Sequence, residues 1–173
     1  WTGPAIRPPE LRPGNAGPPA HIHPGYDERF EIVQGEFVFT IDGKEHRFGP
    51  GDRSVASKGA THTFRCVGDE VGAVIAETQP AARTGEVIAT LFGMAHAGQV
   101  TRRGSPKPLQ AMVIGSEYAD DTVMASPPPS IAVPVAKLLA PIGRRLGIRA
   151  SYDQYLDDAF WAAHVEQPTM QEA

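Results

Sequence analysis

The sequence predicts a mainly β domain followed by a helical C-terminal portion. Three observations carry that expectation. Turn signals recur between His21 and Gln79 at intervals of about eight to twelve residues, the spacing of a sandwich or barrel. Glycine and proline are abundant, at 18 and 17 of 173 residues, which suits many tight turns better than a helical bundle. After Pro80 the apolar period changes to one near 3.6.

Taken in order, residues 1–20 carry six prolines, which exclude helix. Ala5-Ile6 and Glu10-Leu11-Arg12 read as short edge strands, and Pro13-Gly14-Asn15 as a turn. Strands are then expected at Phe30–Val33, Glu36–Ile41, Lys44–Phe48, Arg53–Ala56, His62–Cys66 and Val71–Glu77. Asp42-Gly43 is the preferred two-residue hairpin turn, because both residues tolerate positive φ. Past Pro80, Thr84 is expected to cap a helix bearing Val87, Ile88, Leu91, Phe92 and Met94, with Gly98 as its stop. Pro108 suits the first turn of a second helix ending near Ala119. Ala125–Ser130 reads as a proline-rich linker. A third helix is expected from Ile131 to Leu146, with Pro134 in its first turn and Pro141 kinking it. Ser151 is placed as the cap of a fourth, from Tyr152 to His164. The division is residues 1–80 as the β domain and 81–173 as an extension packing on it or on a subunit interface.

Composition narrows the function. The formal net charge of −4 and the absence of any large basic cluster give no footprint for nucleic acid. One cysteine permits no intramolecular disulfide and no CxxC motif. No run of eighteen apolar residues is present, so no membrane partner is expected. A cytoplasmic location is the expectation. The chain starts at Trp1 without a methionine, which leaves room for a leader or a first strand ahead of it.

The chemistry concentrates in His21-Ile22-His23-Pro24-Gly25-Tyr26-Asp27-Glu28. Residues two apart on a strand share a face, so His21 and His23 project together, about 6.6 Å apart by strand rise. Pro24-Gly25 turns the chain, Glu28 returns a carboxylate, and His62 follows a hairpin later. Three nitrogens and one oxygen are the ligand set of a mononuclear metal site with open positions. A lone His-x-His pair is more often accidental than metal-binding, so the surrounding pattern matters. Phe30 and Ile32 share the parity of Glu28, and Phe64 and Cys66 that of His62. With Tyr26 they are candidates for the wall of a substrate cavity, ordinary core packing being the alternative. His46, His96 and His164 read as structural or exposed, and Glu31 as outward.

The pattern His21-x-His23-x4-Glu28-x6-Gly35 resembles the first motif of the cupin superfamily, in small single-domain bacterial proteins with a C-terminal helical extension. Gly51-x5-Ser57-x-Gly59-x2-His62-x3-Cys66 is similar to the second. Ser57 stands where proline is usual, Cys66 where asparagine is usual, and Asn15 where glycine is frequent. None of these is a metal ligand. The resemblance covers about residues 10–80 and implies a jelly-roll β barrel. It also implies one divalent ion per chain on His21, His23, Glu28 and His62, iron preferred, with manganese, nickel, copper or zinc as alternatives. A homodimer acting on a small organic molecule is expected. The expected activity is a quercetinase-like dioxygenase acting on an aromatic or enolisable substrate, with Glu28 as the catalytic base. A non-redox isomerase, lyase or cyclase, and a binding protein without turnover, are the alternatives, because the fold does not select a reaction.

Overall fold

The computed structural model describes residues 17–80, 82–102 and 104–164. The strands expected at residues 5–12 and the turn at 13–15 lie outside the described residues.

Among the described residues seven strands come first: β1 (His21–Ile22), β2 (Asp27–Gln34), β3 (Glu36–Ile41), β4 (Lys44–Phe48), β5 (Arg53–Ala56), β6 (His62–Val67) and β7 (Ala73–Gln79). Helices α1 (Thr84–His96) and α2 (Pro108–Glu117) follow. A short strand, β8 (Val123–Met124), then precedes α3 (Pro129–Arg145), α4 (Asp153–Leu156) and α5 (Asp158–His164). The strands form two antiparallel sheets, in the orders β4-β3-β6-β1-β8 and β5-β2-β7. This is the mainly β, jelly-roll arrangement with C-terminal helices that the sequence predicts.

Alternation sets which side chains turn inward. On β2, Glu28, Phe30 and Ile32 are buried while Arg29 and Val33 are exposed. Glu31 faces outward and pairs with Arg53 at 3.0 Å. Phe30 and Ile32 meet Phe37, Phe39 and Cys66 of the other sheet in one cluster with Ala56 and Val74, and Phe64 packs against it half-buried. Phe30–Phe39 and Phe39–Phe64 stand 4.9 and 5.0 Å apart between ring centroids. Each buried phenyl contributes about 1.5–3 kcal/mol by leaving water. The hairpin turns as expected, with Asp42 and Gly43 at φ of 48° and 78°. Gly35 follows a bulge in β2 at φ 74°, and a Cβ there would fall 2.8 Å from the Gly72 Cα, so the chain crosses itself closely.

The helical portion departs from the sequence reading in four places. Residues 123 and 124 are a strand: β8 pairs with β1 in the register His21↔Met124 and Ile22↔Val123. A two-residue strand has no period of its own, and the barrel edge supplies its partner. Thr84 does not cap α1; it is the first helical residue, and its hydroxyl bonds to Tyr26 instead. Helix α3 begins at Pro129, so Pro134 lies inside it together with Pro141. Both prolines are exposed, as are Ser130 and Lys137, whose carbonyls the prolines leave free to take water. The fourth helix begins at Asp153 with Tyr152, not Ser151, in the cap position and no side-chain cap, and it is broken at Asp157, which is extended at ψ 124°.

Close approach through small residues packs this portion. Ala136, Ala140 and Gly143 are the buried face of α3. A Cβ at Gly143 would run into Val113 of α2, and one at Gly93 of α1 into the Tyr155 ring. The opposite face of α3 leaves Ile131, Val135, Leu138 and Ile142 exposed. Arg83 lies over the Tyr118 ring, 4.5 Å from its centroid, and pairs with Glu86 and Glu117. Arg144 closes the network on Glu117 at 3.1 Å. No described helix is long and apolar enough to cross a membrane.

Candidate metal centre

Both sheets contribute to the site. His21 on β1 lies directly across from His62 on β6, so their side chains leave one sheet side by side. His23 follows just past the end of β1. Glu28 comes from the facing sheet, between Ala56 of β5 and Thr78 of β7. The four side chains are buried, with exposures of 6, 2, 7 and 1% for His21, His23, Glu28 and His62. One ligand atom from each lies within 4.8 Å of all the others. The four residues that the spacing selects are therefore brought together.

The hydrogen bonds around the imidazoles define what the cluster can hold. Each ring uses its Nδ1 against a backbone carbonyl: His21 on Pro19 at 2.9 Å, His62 on Ala60 at 3.1 Å and His23 on Asp121 at 2.9 Å. A carbonyl only accepts, so each Nδ1 carries the proton. Every Nε2 is then turned inward. Those of His62 and His23 stand 2.8 and 3.0 Å from Glu28 Oε2, and that of His21 stands 3.9 Å away. A carboxylate also only accepts. Without a cation, His23 and His62 must each be doubly protonated, with ring centroids 5.1 Å apart, or present lone pairs to the carboxylate. A divalent ion removes the conflict, because three imidazole lone pairs and a carboxylate oxygen all serve as donors to it. The donor set fits a metal.

The electrostatics describe the cluster as it stands without an ion. Burial pushes the Glu28 carboxyl up, but hydrogen bonds and charge from His23 and His62 outweigh it and bring it to about 2. Burial, with the neighbouring His62, lowers His21 to about 4. A carboxylate held ionised beside an imidazole held neutral is the protonation state that binds a cation.

The remaining candidates divide. Tyr26 is buried and stacks on the His23 ring, with centroids 4.5 Å apart and planes 23° from parallel. Phe30 presents its edge to His62 at 6.0 Å. Phe64 reaches Phe30 at 5.8 Å and is half-buried. Ile32 and Cys66 are 1% exposed and lie within the apolar cluster, the ordinary core packing that is the alternative for them. His46, His96 and His164 are exposed. Three residues join the site that the sequence does not select for it: Asp121, Thr122 and Thr84, the last readable only as a helix cap. Thr122 Oγ1 lies 3.1 Å from His23 Nδ1, and the Tyr26 hydroxyl bonds to Thr84 and approaches Thr122 at 3.4 Å. No motif marks these residues. The one element that could point to them is β8, which is too short to be read from sequence.

Comparisons with known proteins place the β unit. Residues 10–76 match the family model described as a cupin domain. Among solved structures, the protein TT1209 from Thermus thermophilus is 29% identical, over 39% of this chain and 64% of that one, with a TM-score of 0.37. A predicted oxalate decarboxylase from Thermotoga maritima is 29% identical over 40% and 59%, with a TM-score of 0.38. A sugar phosphate isomerase of the cupin superfamily from Silicibacter pomeroyi is 26% identical over 42% and 47%, with a TM-score of 0.39. The chain spans about half to two thirds of the length of these proteins, and at such scores the likenesses carry no inference about activity. Nothing among curated proteins matches the chain. The two motifs, the jelly-roll sheets and the family match agree on a cupin domain over residues 10–76, with helices following it along the chain.

Proposed function

We propose that His21, His23, Glu28 and His62 hold one divalent ion and that the protein is a metal-dependent cupin enzyme acting on a small organic molecule. The observation that carries this is the orientation of the three imidazoles. Each Nδ1 is fixed on a carbonyl, and each Nε2 is aimed at the same carboxylate oxygen. Such outer hydrogen bonds set the tautomer that a metal needs. Three nitrogens and one oxygen leave positions of an octahedral ion open, which separates a catalytic site from a structural one. Imidazole-rich sets suit iron, nickel, copper and zinc, and the carboxylate admits manganese.

The reaction proposed is a dioxygenation of an aromatic or enolisable substrate, with iron as the preferred metal. The ion would supply Lewis acidity for a substrate oxygen and, if iron, a redox centre for dioxygen. The chain supplies the rest. Tyr26 and Phe30 pack their rings against His23 and His62, and Phe30 also belongs to the apolar core; apolar surroundings of this kind are proposed to favour a planar, partly apolar ligand. Glu28 engages the imidazoles through Oε2 alone, and its other oxygen is proposed to take the substrate proton.

Anaerobic purification, elemental analysis and oxygen-electrode assays with enols and catechols test the reading. Iron, with oxygen consumption on at least one of them, is the expected result. Zinc in the isolated protein with no oxygen uptake on any of them sinks the oxygenase reading.

A further inference from the structure

The three imidazoles are not held in the same way. His21 and His62 are fixed by carbonyls two residues back along the chain, Pro19 and Ala60. Any fold of the β unit that forms β1 and β6 supplies those partners. His23 is fixed by the Asp121 carbonyl, 98 residues along the chain, in the connection between α2 and α3. Thr122 adds its hydroxyl to the same Nδ1 at 3.1 Å. Because that N–H is already donated, the Thr122 oxygen can only share it as an acceptor.

The connection is itself pinned to the barrel and to α1. Ala125 N–H donates to Ala20 O at 2.9 Å, and β8 pairs with β1. Arg83 N–H donates to Asp121 Oδ1 at 3.2 Å. Tyr26 ties the pieces together, since its ring lies on His23 and its hydroxyl reaches Thr84 at the start of α1 and Thr122.

From this asymmetry we infer that the α2–α3 connection is a working part of the metal centre, with Thr122 and Tyr26 as positioning residues that aim His23 Nε2 at the ion. The inference rests on the metal-centre reading above. It makes metal affinity and docking of the extension reciprocal, as linkage requires: whatever loosens residues 121–125 weakens the site, and ion binding tightens those residues. It also gives the extension a role that the β unit cannot fill for itself.

The test uses the full chain and measures binding, not turnover. Apparent Kd for Mn2+ and for Zn2+ is read by calorimetric titration for the wild type, Thr122→Val, Thr122→Ser and Tyr26→Phe. Thr122→Val should weaken both ions by about tenfold, the lower end for loss of an outer hydrogen bond to a ligand. Thr122→Ser should restore wild-type Kd, and Tyr26→Phe should lie between. The melting temperature of the metal-free Thr122→Val protein should match wild type, which separates positioning from general destabilisation. In the wild type, Mn2+ should slow hydrogen exchange at residues 121–125. If the wild type binds the ions, Thr122→Val binds them within twofold of it and exchange at 121–125 is unchanged, the inference is overturned and the metal centre stands. A wild type that binds neither ion overturns both.

Discussion

The β unit and the helical extension are packed on different physical terms. The barrel buries large aromatic side chains from facing strands, Phe30, Phe37 and Phe39 among them, in one cluster. The extension brings backbones close through Gly93, Gly143, Ala136 and Ala140 and ties its surface with a network of Arg83, Glu86, Glu117 and Arg144. Most of the barrel's stability should therefore come from area removed from water, and most of the extension's from fit. The two meet where Asp121 and Thr122 reach His23. If that junction is as tight as the hydrogen bonds indicate, the two regions should unfold together.

The largest effect on stability is expected in the barrel. Phe39→Ala empties the centre of the cluster, where Phe39 is fully buried, and should cost about 3–5 kcal/mol. Chemical denaturation followed by both far-ultraviolet circular dichroism and tryptophan fluorescence should show one transition moving as a whole. Trp161, the tryptophan among the described residues, donates its Nε1–H to Tyr155 O within the extension, so its fluorescence reports that region. Two separated transitions would break the comparison and make the extension an independent unit.

Next comes Gly143→Ala. The added methyl would meet Val113, which is fully buried, and the overpacking should cost about 1–3 kcal/mol in the same experiment. A neutral result would mean that α2 and α3 adjust, and that fit is not what holds them.

The division also explains what can be read from the sequence. The strands and the hairpin at Asp42-Gly43 follow from period-two alternation and local turn chemistry, which a single chain displays; alternation also puts His21 and His23 on one face, and the resemblance to the two cupin motifs adds Glu28 and His62 to them. Pro108 at the start of α2 is legible for the same reason, because proline there lacks only an amide that has no partner anyway. Helix α3 starts earlier than its prolines suggest; Pro134 and Pro141 both lie on its exposed side, where a carbonyl left without its helical partner is open to solvent. Thr84 reads as a cap because threonine prefers that place; a tertiary partner, Tyr26, takes its hydroxyl. Ile32 and Cys66 have the parity of the ligands yet lie in the core, since parity selects a face and not a depth. Asp121 and Thr122 are invisible in the sequence, because the contact that gives Asp121 meaning is 98 residues long.

Smaller effects are expected at the surface. Glu117→Gln removes a partner from both Arg83 and Arg144, whose side chains are 44 and 46% exposed, and should cost no more than about 1 kcal/mol, shrinking further with salt. A larger, salt-insensitive loss would show that the network carries the extension.

Acid should act on the metal-free protein through His21. Its folded value of about 4 lies below the ordinary 6.5, so the unfolded chain binds the proton first. Stability contributed by the neutral ring is present above 6.5 and is lost as pH falls from there toward 4. His21→Gln should flatten the pH dependence in that window, as read by denaturation midpoints.

The proposed centre is a single ion held by three imidazoles and one carboxylate between the sheets. Calorimetric titration of metal-stripped protein with Mn2+ tests it most directly, with His62→Ala and Glu28→Ala alongside. One ion per chain is expected for the wild type, and no stoichiometric binding for either variant. Wild-type protein that takes up no ion, or variants that bind as the wild type does, would contradict it.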